Sequence, residues 1–384
     1  MSRSRYLKIK ENFHLADNQN LEPGFKIAKV KPIYDAFNQS LIRFGVLHNK
    51  LSIDESMIPY KGLHSIRQYM KSKPIKFGYK AWAICGEDGY PYHLQIYCGK
   101  SSEKLDFGLG GSVVVRLIDE MYKIGDEDIK NCEYFFDNFF SSHDLLSDLT
   151  GKEILATGTI RENRTGGADK VLLSKKLLQK KDRGSYDFVC NESLFITSWN
   201  DNSVCQVISN CHQIDPIRNT QRWKKGKGQI YVEQPHVIKA YNEGMGGVDA
   251  MDRLLESYRP SVNMKKWWWS LFINVLNLSV IASWRLYQKA NPDSKMTHLE
   301  FRRYVTQVLV KSNCENQVKK SVVIAVPPKE VRLDGVGHFV ETTSQGRCCV
   351  CKKNTRKVCV KCKKRLHSDR QTNCFYEYHN NSHI

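Results

Sequence analysis

Between residues 51 and 160 the chain alternates strand-like apolar runs with segments of helical spacing, and this alternation limits the possible folds more than any other feature. The turn GEDGYP joins two of the runs as a hairpin. The predicted order is strand, strand, strand, helix, strand, helix and strand, at residues 51–57, 79–86, 93–98, 113–124, 133–140, 141–149 and 153–160. This order predicts an α/β fold in which helices cover a mixed sheet.

Four aspartates occupy informative places in the sequence. Asp54 in LSIDES and Asp137 in EYFFDNFF follow strand-like runs, and on the predicted sheet they fall on neighbouring strands. Asp249 and Asp252 in GGVDAMDRL are three residues apart, so they share one face of a helix. A carboxylate at the end of a buried strand is costly unless it binds positive charge. Four converging carboxylates predict an oxygen-lined site for Mg²⁺ or Mn²⁺ and, with it, metal-dependent DNA cleavage and joining.

The predicted roles follow from two-metal chemistry, in which a shared carboxylate bridges ions about 3.5–4 Å apart. We assign Asp54 as the bridge, Asp137 as a ligand to one ion and Asp249 as a ligand to the other. Asp252 is then a supporting contact or an alternative ligand. Each position also has an ordinary interpretation, since an aspartate before an asparagine often begins a turn and Asp249 could cap a helix. Glu55 would point to the opposite face of its strand and is interpreted as structural.

The charge balance favours a polyanionic partner. Lysine plus arginine number 59 against 40 aspartate plus glutamate, giving a formal net charge of +19. Nucleic acid is the default candidate, although a solvated basic surface fits the same numbers. Single scattered cysteines are typical of a reducing cytosolic or nuclear compartment. The most apolar stretch, 267–287, is interrupted by Asn274, Asn277 and Arg285, so no membrane span is predicted.

The remaining chain up to residue 346 divides into three regions. Short β-like pieces separated by basic turns at 161–238 predict a β-rich insertion domain between the second and third aspartates. Helical patterns at 242–258, 267–289 and 299–310 predict a helical second part of the core. The stretch 312–346, with several glycines and a Pro-Pro pair, is interpreted as a linker.

The carboxy-terminal residues have metal-ligand spacing. Two CxxC pairs are followed by further soft ligands, a pattern that predicts at least one structural zinc ion. The candidate ligands are Cys348, Cys351, Cys359, Cys362, His367, Cys374 and His379. Seven ligands are one short of two tetrahedral sites, so a cross-braced pair needs His383 or another residue. The neighbouring lysines favour a DNA contact, although a cross-braced zinc fold also fits binding of a protein tail or a ubiquitin-conjugating enzyme.

Basic residues elsewhere are candidates for contacts with DNA phosphates. Where they alternate with aromatic residues they can also stack on an unpaired base, and the alternative is a solvated loop. We expect Trp268 and Trp269 to belong to the core instead. The candidate DNA-binding residues are Lys61, Arg67, Lys73, Lys76, Arg161, Arg164, Arg222, Lys224, Lys225, Lys265, Lys266, Lys363 and Lys364.

Several motifs together resemble one known family. SIDESMIPYKG with KPIKFGYK, FFDNFFSS, TGTIREN and VIKAYNEGMGGVDAMDRLLESYR are similar, in order and spacing, to the piggyBac-type transposases and their domesticated relatives. The resemblance covers nearly the whole chain from about Tyr6 and implies an RNase H-like catalytic fold. The regions that it implies are the end of a dimerisation and DNA-binding domain at 1–48, the catalytic core at 49–160 and 239–311, the insertion at 161–238, a linker at 312–346 and a zinc domain at 347–384.

The resemblance also implies an activity. The first three aspartates match the family's catalytic residues, and Asp252 matches the fourth acidic residue beside them. The implied protein is a nuclear, homodimeric DDE-type transposase that binds double-stranded DNA, nicks transposon ends, resolves them through hairpins and joins them at TTAA targets. Its cofactors are Mg²⁺ or Mn²⁺ in the catalytic site and Zn²⁺ in the carboxy-terminal domain. A cysteine commonly stands where His367 stands here, which leaves the zinc pairing open.

A second hypothesis belongs to a different class. The chain could be a non-catalytic, host-adopted DNA- or chromatin-binding protein that keeps the fold and the zinc module. Retention of the four aspartates favours the enzyme. The opening MSRSRYLKIKENFHLADN resembles the end of the family's amino-terminal domain, so we expect an upstream part to be missing, which favours the second hypothesis.

Overall fold

The computed structural model describes residues 2–71, 73–99, 106–123, 127–260, 266–312 and 327–381. The chain forms two compact units, Met1–Thr306 and Gln307–Ile384. Among the helices in these described ranges, none combines the length and apolar character needed to cross a membrane.

Strands and helices alternate through the first unit. The strands are β1 Lys50–Pro59, β2 Gln68–Tyr69, β3 Phe77–Gly86, β4 Pro91–Ile96, β5 Glu133–Phe136, β6 Leu155–Thr159, β7 Tyr186–Cys190, β8 Phe195–Asn200, β9 Val204–Ser209, β10 Arg218–Lys224 and β11 Gly228–Gln234. The helices are α1 Arg3–Asn12, α2 Lys31–Phe44, α3 Gly108–Tyr122, α4 His143–Gly151, α5 Lys175–Leu178, α6 His236–Gly244, α7 Gly247–Ser257, α8 Trp269–Ala290 and α9 His298–Ser312. The last of these helices ends in the second unit.

A nine-stranded sheet forms the centre of this unit. Its order is β2, β3, β1, β5, β6, β9, β8 and β7, and β4 also pairs with β3. β1 is antiparallel to β3 and parallel to β5, and β5 is parallel to β6. The predicted α/β class with a mixed sheet is therefore confirmed.

The β-rich segment 161–238 differs from the prediction of a separate insertion domain. Its strands β7, β8 and β9 extend the central sheet, because β9 pairs with the otherwise open edge of β6. β10 and β11 form a hairpin of their own. This hairpin buries Val232 in a small core with Trp199 and Val207, which anchors it to the end of the large sheet.

The amino-terminal residues also differ from the prediction. The segment 1–48 is not wholly a remnant of another domain, because α2 belongs to the main core. Tyr34, Phe37 and Leu41 recur at helical spacing along α2 and are buried, and this helix packs against β4 and α8.

The helical pattern predicted at 242–258 is divided between two helices. α6 ends at Gly244 and α7 begins at Gly247, so the chain changes direction before the aspartate pair. At Gly244 an added Cβ would lie 2.3 Å from the ring of Phe135, which shows how closely the end of α6 approaches β5. The hydrophobic pattern of residues 242–258 does not reveal this break, because both helices bury apolar residues in the same unit.

The second unit is small and rich in cysteine. Its elements are α10 Lys329–Arg332, β12 Val340–Arg347, β13 Asn354–Cys359 and α11 Cys374–Asn380. β12 and β13 form an antiparallel pair, so the end of the predicted linker 312–346 belongs to this folded unit. Residues 313–326 of that linker lie outside the described residues. The core of the unit contains Leu366 and Tyr378 among buried cysteines.

Candidate active site and metal centres

The end of β5 brings Asp137 beside Asp54, which lies in the middle of β1. Ile53 of β1 pairs with Phe136 of β5 in parallel register, so Asp54 and Asp137 are the next residues on adjacent strands. Adjacent strands lie about 4.8 Å apart. Both aspartates are only partly exposed, and the structure thus places them side by side where the pairing of β5 with β1 ends.

Helix α7 lies along the face of β1 that carries Asp54. Because side chains alternate along a strand, Ser52, Asp54 and Ser56 share this face. Val248 donates its backbone N–H to Ser52 Oγ over 3.1 Å, and Ser56 Oγ donates to Asp252 Oδ1 over 2.6 Å. The helix is therefore fixed on both sides of Asp54.

The start of α7 depends on a close backbone approach. A Cβ added to Gly247 would lie 2.4 Å from the carbonyl oxygen of Gly86 and 2.6 Å from Ser52 Oγ. Asp249 lies exposed in the first turn of α7, and the N-cap residue is Gly246, without a side-chain capping bond. The capping interpretation of Asp249 is therefore wrong, and its carboxylate lies where the helix dipole stabilises negative charge.

Burial perturbs the carboxylates of this site. It raises the pKa of Asp54 to about 7 and that of Asp252 to about 6, and it also raises the pKa of Asp137. The hydrogen bond from Ser56 opposes the rise at Asp252, and the N–H of Phe139 opposes it at Asp137. Partly buried carboxylates that gather in one place with raised pKa values are typical of functional sites.

Lys73 interacts electrostatically with all four aspartates. Its charge lowers the pKa of Asp54, Asp137 and Asp252 against the larger effect of burial. The charges of Asp54 and Asp249, in turn, raise the pKa of Lys73 although burial opposes them. Lys73 was predicted to contact DNA, but the structure places it among the carboxylates.

Glu55 links this lysine to the strand. Its carboxylate lies 3.2 Å from Lys73 Nζ and 3.8 Å from Lys80 Nζ. Sequence reasoning treated Glu55 as merely structural and did not select Lys80, Ser52 or Ser56. The two serines carry a usable signal, because small polar residues flank Asp54 at a spacing of two within a buried strand.

In the part of the chain that the structure describes, the four aspartates do not form a compact cage. Within the described ranges, no three of their carboxylate oxygens lie within 4.8 Å of one another. Asp54 Oδ1 accepts the N–H of Glu55 over 2.7 Å, and Asp137 Oδ1 accepts that of Phe139 over 2.8 Å. The turn predicted as the ordinary interpretation of Asp137 is therefore present. Oδ2 of neither aspartate is hydrogen-bonded within the same described ranges.

Several predicted DNA-binding residues form hydrogen bonds with other groups of the protein. Lys266 Nζ lies 3.0 and 2.9 Å from the carbonyl oxygens of Lys10 and Glu11, so it caps the end of α1. The arginine side chains donate hydrogen bonds to carbonyl, amide or carboxylate oxygens of the protein. These pairs are Arg67 with Gly62 O at 3.0 Å, Arg161 with Asn138 Oδ1 at 2.9 Å, Arg164 with Phe139 O at 2.9 Å and Arg222 with Asp201 Oδ2 at 3.0 Å.

Other predicted residues keep their charge toward solvent. In the described part of the chain no ion pair involves Lys61, Lys76, Lys224, Lys225 or Lys363. Lys364 follows Lys363 and accepts the N–H of Cys359 with its carbonyl oxygen, whereas Lys265 lies outside the described residues. Trp268 is buried, as expected, and Trp223 is 73 % exposed beside Lys224.

Eight soft ligands form two groups in the second unit. In each group the four ligand atoms lie within 4.8 Å of one another. One group is His338, Cys359, Cys362 and His379, and the other is Cys348, Cys351, His367 and Cys374. The groups alternate along the chain, as in a cross-braced fold. The missing eighth ligand is His338, inside the predicted linker, whereas His383 lies outside the described residues.

The geometry of both groups fits zinc. Zn–N and Zn–S bonds of about 2.0 and 2.3 Å in a tetrahedron give N···S edges of about 3.5 Å. The observed edges are 3.3 Å for His367 Nδ1 to Cys351 Sγ, 3.4 Å for His379 Nε2 to Cys362 Sγ and 3.4 Å for His338 Nδ1 to Cys359 Sγ. Each remaining ring nitrogen contacts a carbonyl oxygen, and such contacts orient metal-binding histidines.

The fold and these candidate sites define a mixed α/β protein with a carboxylate cluster and two Cys/His groups, and comparison with known proteins identifies the family. A family model described as "Transposase IS4" matches residues 1–284. The human "PiggyBac transposable element-derived protein 3" is 35 % identical over 390 residues, covering 99 % of this chain and 63 % of that protein. The human "PiggyBac transposable element-derived protein 2" is 33 % identical over 385 residues, covering 98 % and 63 %. The chain belongs to the piggyBac-type transposase family.

A solved structure supports the fold. The chain is similar to the protein in "Cryo-EM structure of piggyBac transposase synaptic complex with hairpin DNA (SNHP)", with a TM-score of 0.65 and 19 % identity. The match covers 95 % of this chain and 77 % of that chain. The chain spans 63 % of the length of the two human relatives.

Proposed function

We propose that the protein is a DDE-type DNA transposase with an RNase H-like core, which cleaves and joins DNA strands with the help of divalent metal ions. The observation that carries this proposal is the convergence of Asp54, Asp137, Asp249 and Asp252 where β1, β5 and α7 meet. These carboxylates come from three separate parts of the chain, and the partial burial of Asp54, Asp137 and Asp252 has no structural purpose that apolar residues would not serve better.

The donor set fits Mg²⁺ or Mn²⁺. Both ions prefer hard carboxylate oxygens, and Oδ2 of Asp54 and of Asp137 is directed to no other described group. In the proposed arrangement Asp54, Asp137 and Asp249 would hold the ions, and Ser56 holds Asp252 in position beside them. When bound, the ions supply the positive charge that stabilises a pentavalent phosphate and its leaving oxygen.

The DNA substrate is proposed to contact the lysines that carry no ion pair. Lys61 follows β1 and Lys76 precedes β3, while Lys224 and Lys225 lie at the tip of the β10–β11 hairpin next to exposed Trp223. We propose double-stranded DNA as the partner, with transposon ends and TTAA targets as substrates, a homodimer as the active assembly and the nucleus as the location. The net charge of +19 supports a polyanionic partner.

The second unit is proposed to hold two structural zinc ions in a cross-braced arrangement. A unit with so few buried apolar residues needs another source of stability, and zinc binding provides it. Lys363 and Lys364 lie in the turn after Cys362, and we propose that this turn contacts the phosphates of the transposon end.

A second candidate is a host-adopted DNA- or chromatin-binding protein without catalytic activity. The human relatives are named as element-derived proteins, which fits this candidate in part. The two candidates differ in their need for the carboxylates.

A nicking assay separates them. The full chain, loaded with zinc, is incubated with a duplex that contains the DNA flanking its own gene, in Mn²⁺ or Mg²⁺, and strand breaks are resolved on a denaturing gel. We expect cleavage by the natural protein and by Asp144→Asn, since the Asp144 side chain is 86 % exposed on α4. We expect none from Asp137→Asn. Equal cleavage by Asp144→Asn and Asp137→Asn would show that the carboxylate site does not catalyse the cleavage.

A further inference from the structure

Lys73 lies on the segment between β2 and β3, where its ammonium group faces the carboxylate site. Its Nζ is 3.2 Å from Glu55 Oε1 and 3.3 Å from the carbonyl oxygen of Glu55. These two contacts fix the amino group to the backbone of β1 beside Asp54. The side chain is 23 % exposed, so water screens its charge only in part.

The charge around Lys73 is strongly negative. Five carboxylates interact with it electrostatically, those of Glu55 and of the four aspartates. Two other cations have narrower roles. Lys80 pairs with Glu55, lies 3.9 Å from the centroid of the Trp82 ring and interacts electrostatically with Asp54 and Asp137, whereas Arg259 acts on Asp252. Lys73 is thus the cation that interacts with every aspartate of the site.

A lysine in this position affects a divalent cation directly. An ammonium group and a metal ion repel each other when they approach the same carboxylates, and this repulsion is large in a partly buried site. Conversely, removal of the lysine leaves the carboxylates to repel one another unless metal is present.

We propose that Lys73 competes with divalent metal for the carboxylate site, as a tethered cation that must move away when metal binds. The inference rests on the proposed function, because it takes the aspartates as the metal ligands. It also explains why no three of the aspartate oxygens in the described ranges lie within 4.8 Å of one another. The segment between β2 and β3 then controls how readily the site accepts metal.

Two other roles for Lys73 predict different changes in metal affinity. If the lysine only ordered the carboxylates into a shape suited to metal, its removal would weaken metal binding. If it only contacted DNA phosphate, as the sequence suggests, its removal would leave metal binding unchanged in the absence of DNA. The sign of the change in metal affinity therefore decides between these roles.

The test measures Mn²⁺ affinity of the full chain by the electron paramagnetic resonance signal of free Mn²⁺. The Cys/His groups are first loaded with zinc, because thiolates and imidazoles are poor ligands for Mn²⁺. We expect Lys73→Met to bind Mn²⁺ about tenfold more tightly than the natural protein. Lys76→Met removes the same charge from the same segment, but Lys76 forms no ion pair in the described ranges, so we expect a change of less than about twofold.

Thermal melting supplies a second readout. Without added metal, Lys73→Met is expected to melt below Lys76→Met, and Mn²⁺ is expected to raise its melting temperature more than that of the natural protein. If Lys73→Met does not fold, Lys73→Gln carries the same expectations, because its amide can still donate to the Glu55 carbonyl oxygen.

The outcomes distinguish this inference from the proposed function. Unchanged or weaker Mn²⁺ binding by Lys73→Met, in a protein whose Mn²⁺ binding is lost in Asp54→Asn, overturns the competition alone. If neither the natural protein nor Lys73→Met binds Mn²⁺ through Asp54, both the metal-dependent function and the competition are overturned. Tighter binding that Asp54→Asn abolishes supports both.

Discussion

Gly247 offers a direct test of how the acidic helix reaches the sheet. In Gly247→Ala the new Cβ would lie 2.4 Å from the carbonyl oxygen of Gly86, where ordinary contacts begin at 3.4 Å. The neighbouring Ser52 Oγ, at 2.6 Å, can rotate, but the carbonyl oxygen belongs to the end of β3 and cannot. The start of α7 must therefore move by about 1 Å.

This displacement has two measurable consequences. Overpacking of this kind costs about 1–3 kcal/mol of unfolding free energy. Movement of α7 also stretches the hydrogen bond from Val248 to Ser52 and shifts Asp249 and Asp252 relative to Asp54. Since metal sites tolerate displacements of only about 0.5 Å, we expect Mn²⁺ affinity to fall about tenfold or more.

Gly246 is the matched control, one residue earlier. An added Cβ there meets nothing within 4 Å, and its φ of −78° suits alanine. We expect Gly246→Ala to change stability by less than about 1 kcal/mol and to bind Mn²⁺ like the natural protein. Urea denaturation followed by tryptophan fluorescence measures the stability. The electron paramagnetic resonance signal of free Mn²⁺ measures the Mn²⁺ affinity. If Gly247→Ala and Gly246→Ala have the same stability and the same Mn²⁺ affinity, the close approach at Gly247 does not set the position of helix α7.

Three other predictions concern separate parts of the molecule. His338→Ala is expected to reduce bound zinc from two ions to one per chain, read by atomic emission after dialysis; two retained ions would exclude His338 as a ligand. His212 has its pKa raised to about 10 by Cys211 and by Glu133, so its contribution to stability is complete below pH 6.5 and disappears as the pH rises toward 10. His212→Gln should accordingly lower the melting temperature at pH 6 and change it little at pH 10, and an equal loss at both would contradict this. Lys224→Ala should weaken DNA binding and reduce its salt dependence without changing stability, whereas Arg222→Ala, which breaks a contact to Asp201, should destabilise the hairpin; anisotropy of labelled DNA and thermal melts check the pair.

The sequence by itself determined the class of fold and the chemical types of the sites. The alternation between 51 and 160 follows from side-chain periodicity, which is local, and apart from the two-residue strand β2 the structure has strands and helices in the predicted order there. The CxxC spacing is also local, since both thiolates of a pair must reach one ion. The family resemblance rests on motifs distributed along the chain, and comparison confirms it.

Tertiary structure decided which residues meet. His338 joins a metal group because β12 pairs with β13, and no local spacing predicts that contact. β9 extends the central sheet because the edge of β6 is open to it, which cannot be read from the β-like pattern of 161–238. Lys73, Lys266 and Arg222 look alike in sequence as basic residues, yet carboxylates, helix carbonyls and Asp201 engage them inside the protein. The charge of a side chain is known from the sequence. The group that this side chain contacts is set by the packing of segments far apart in the chain.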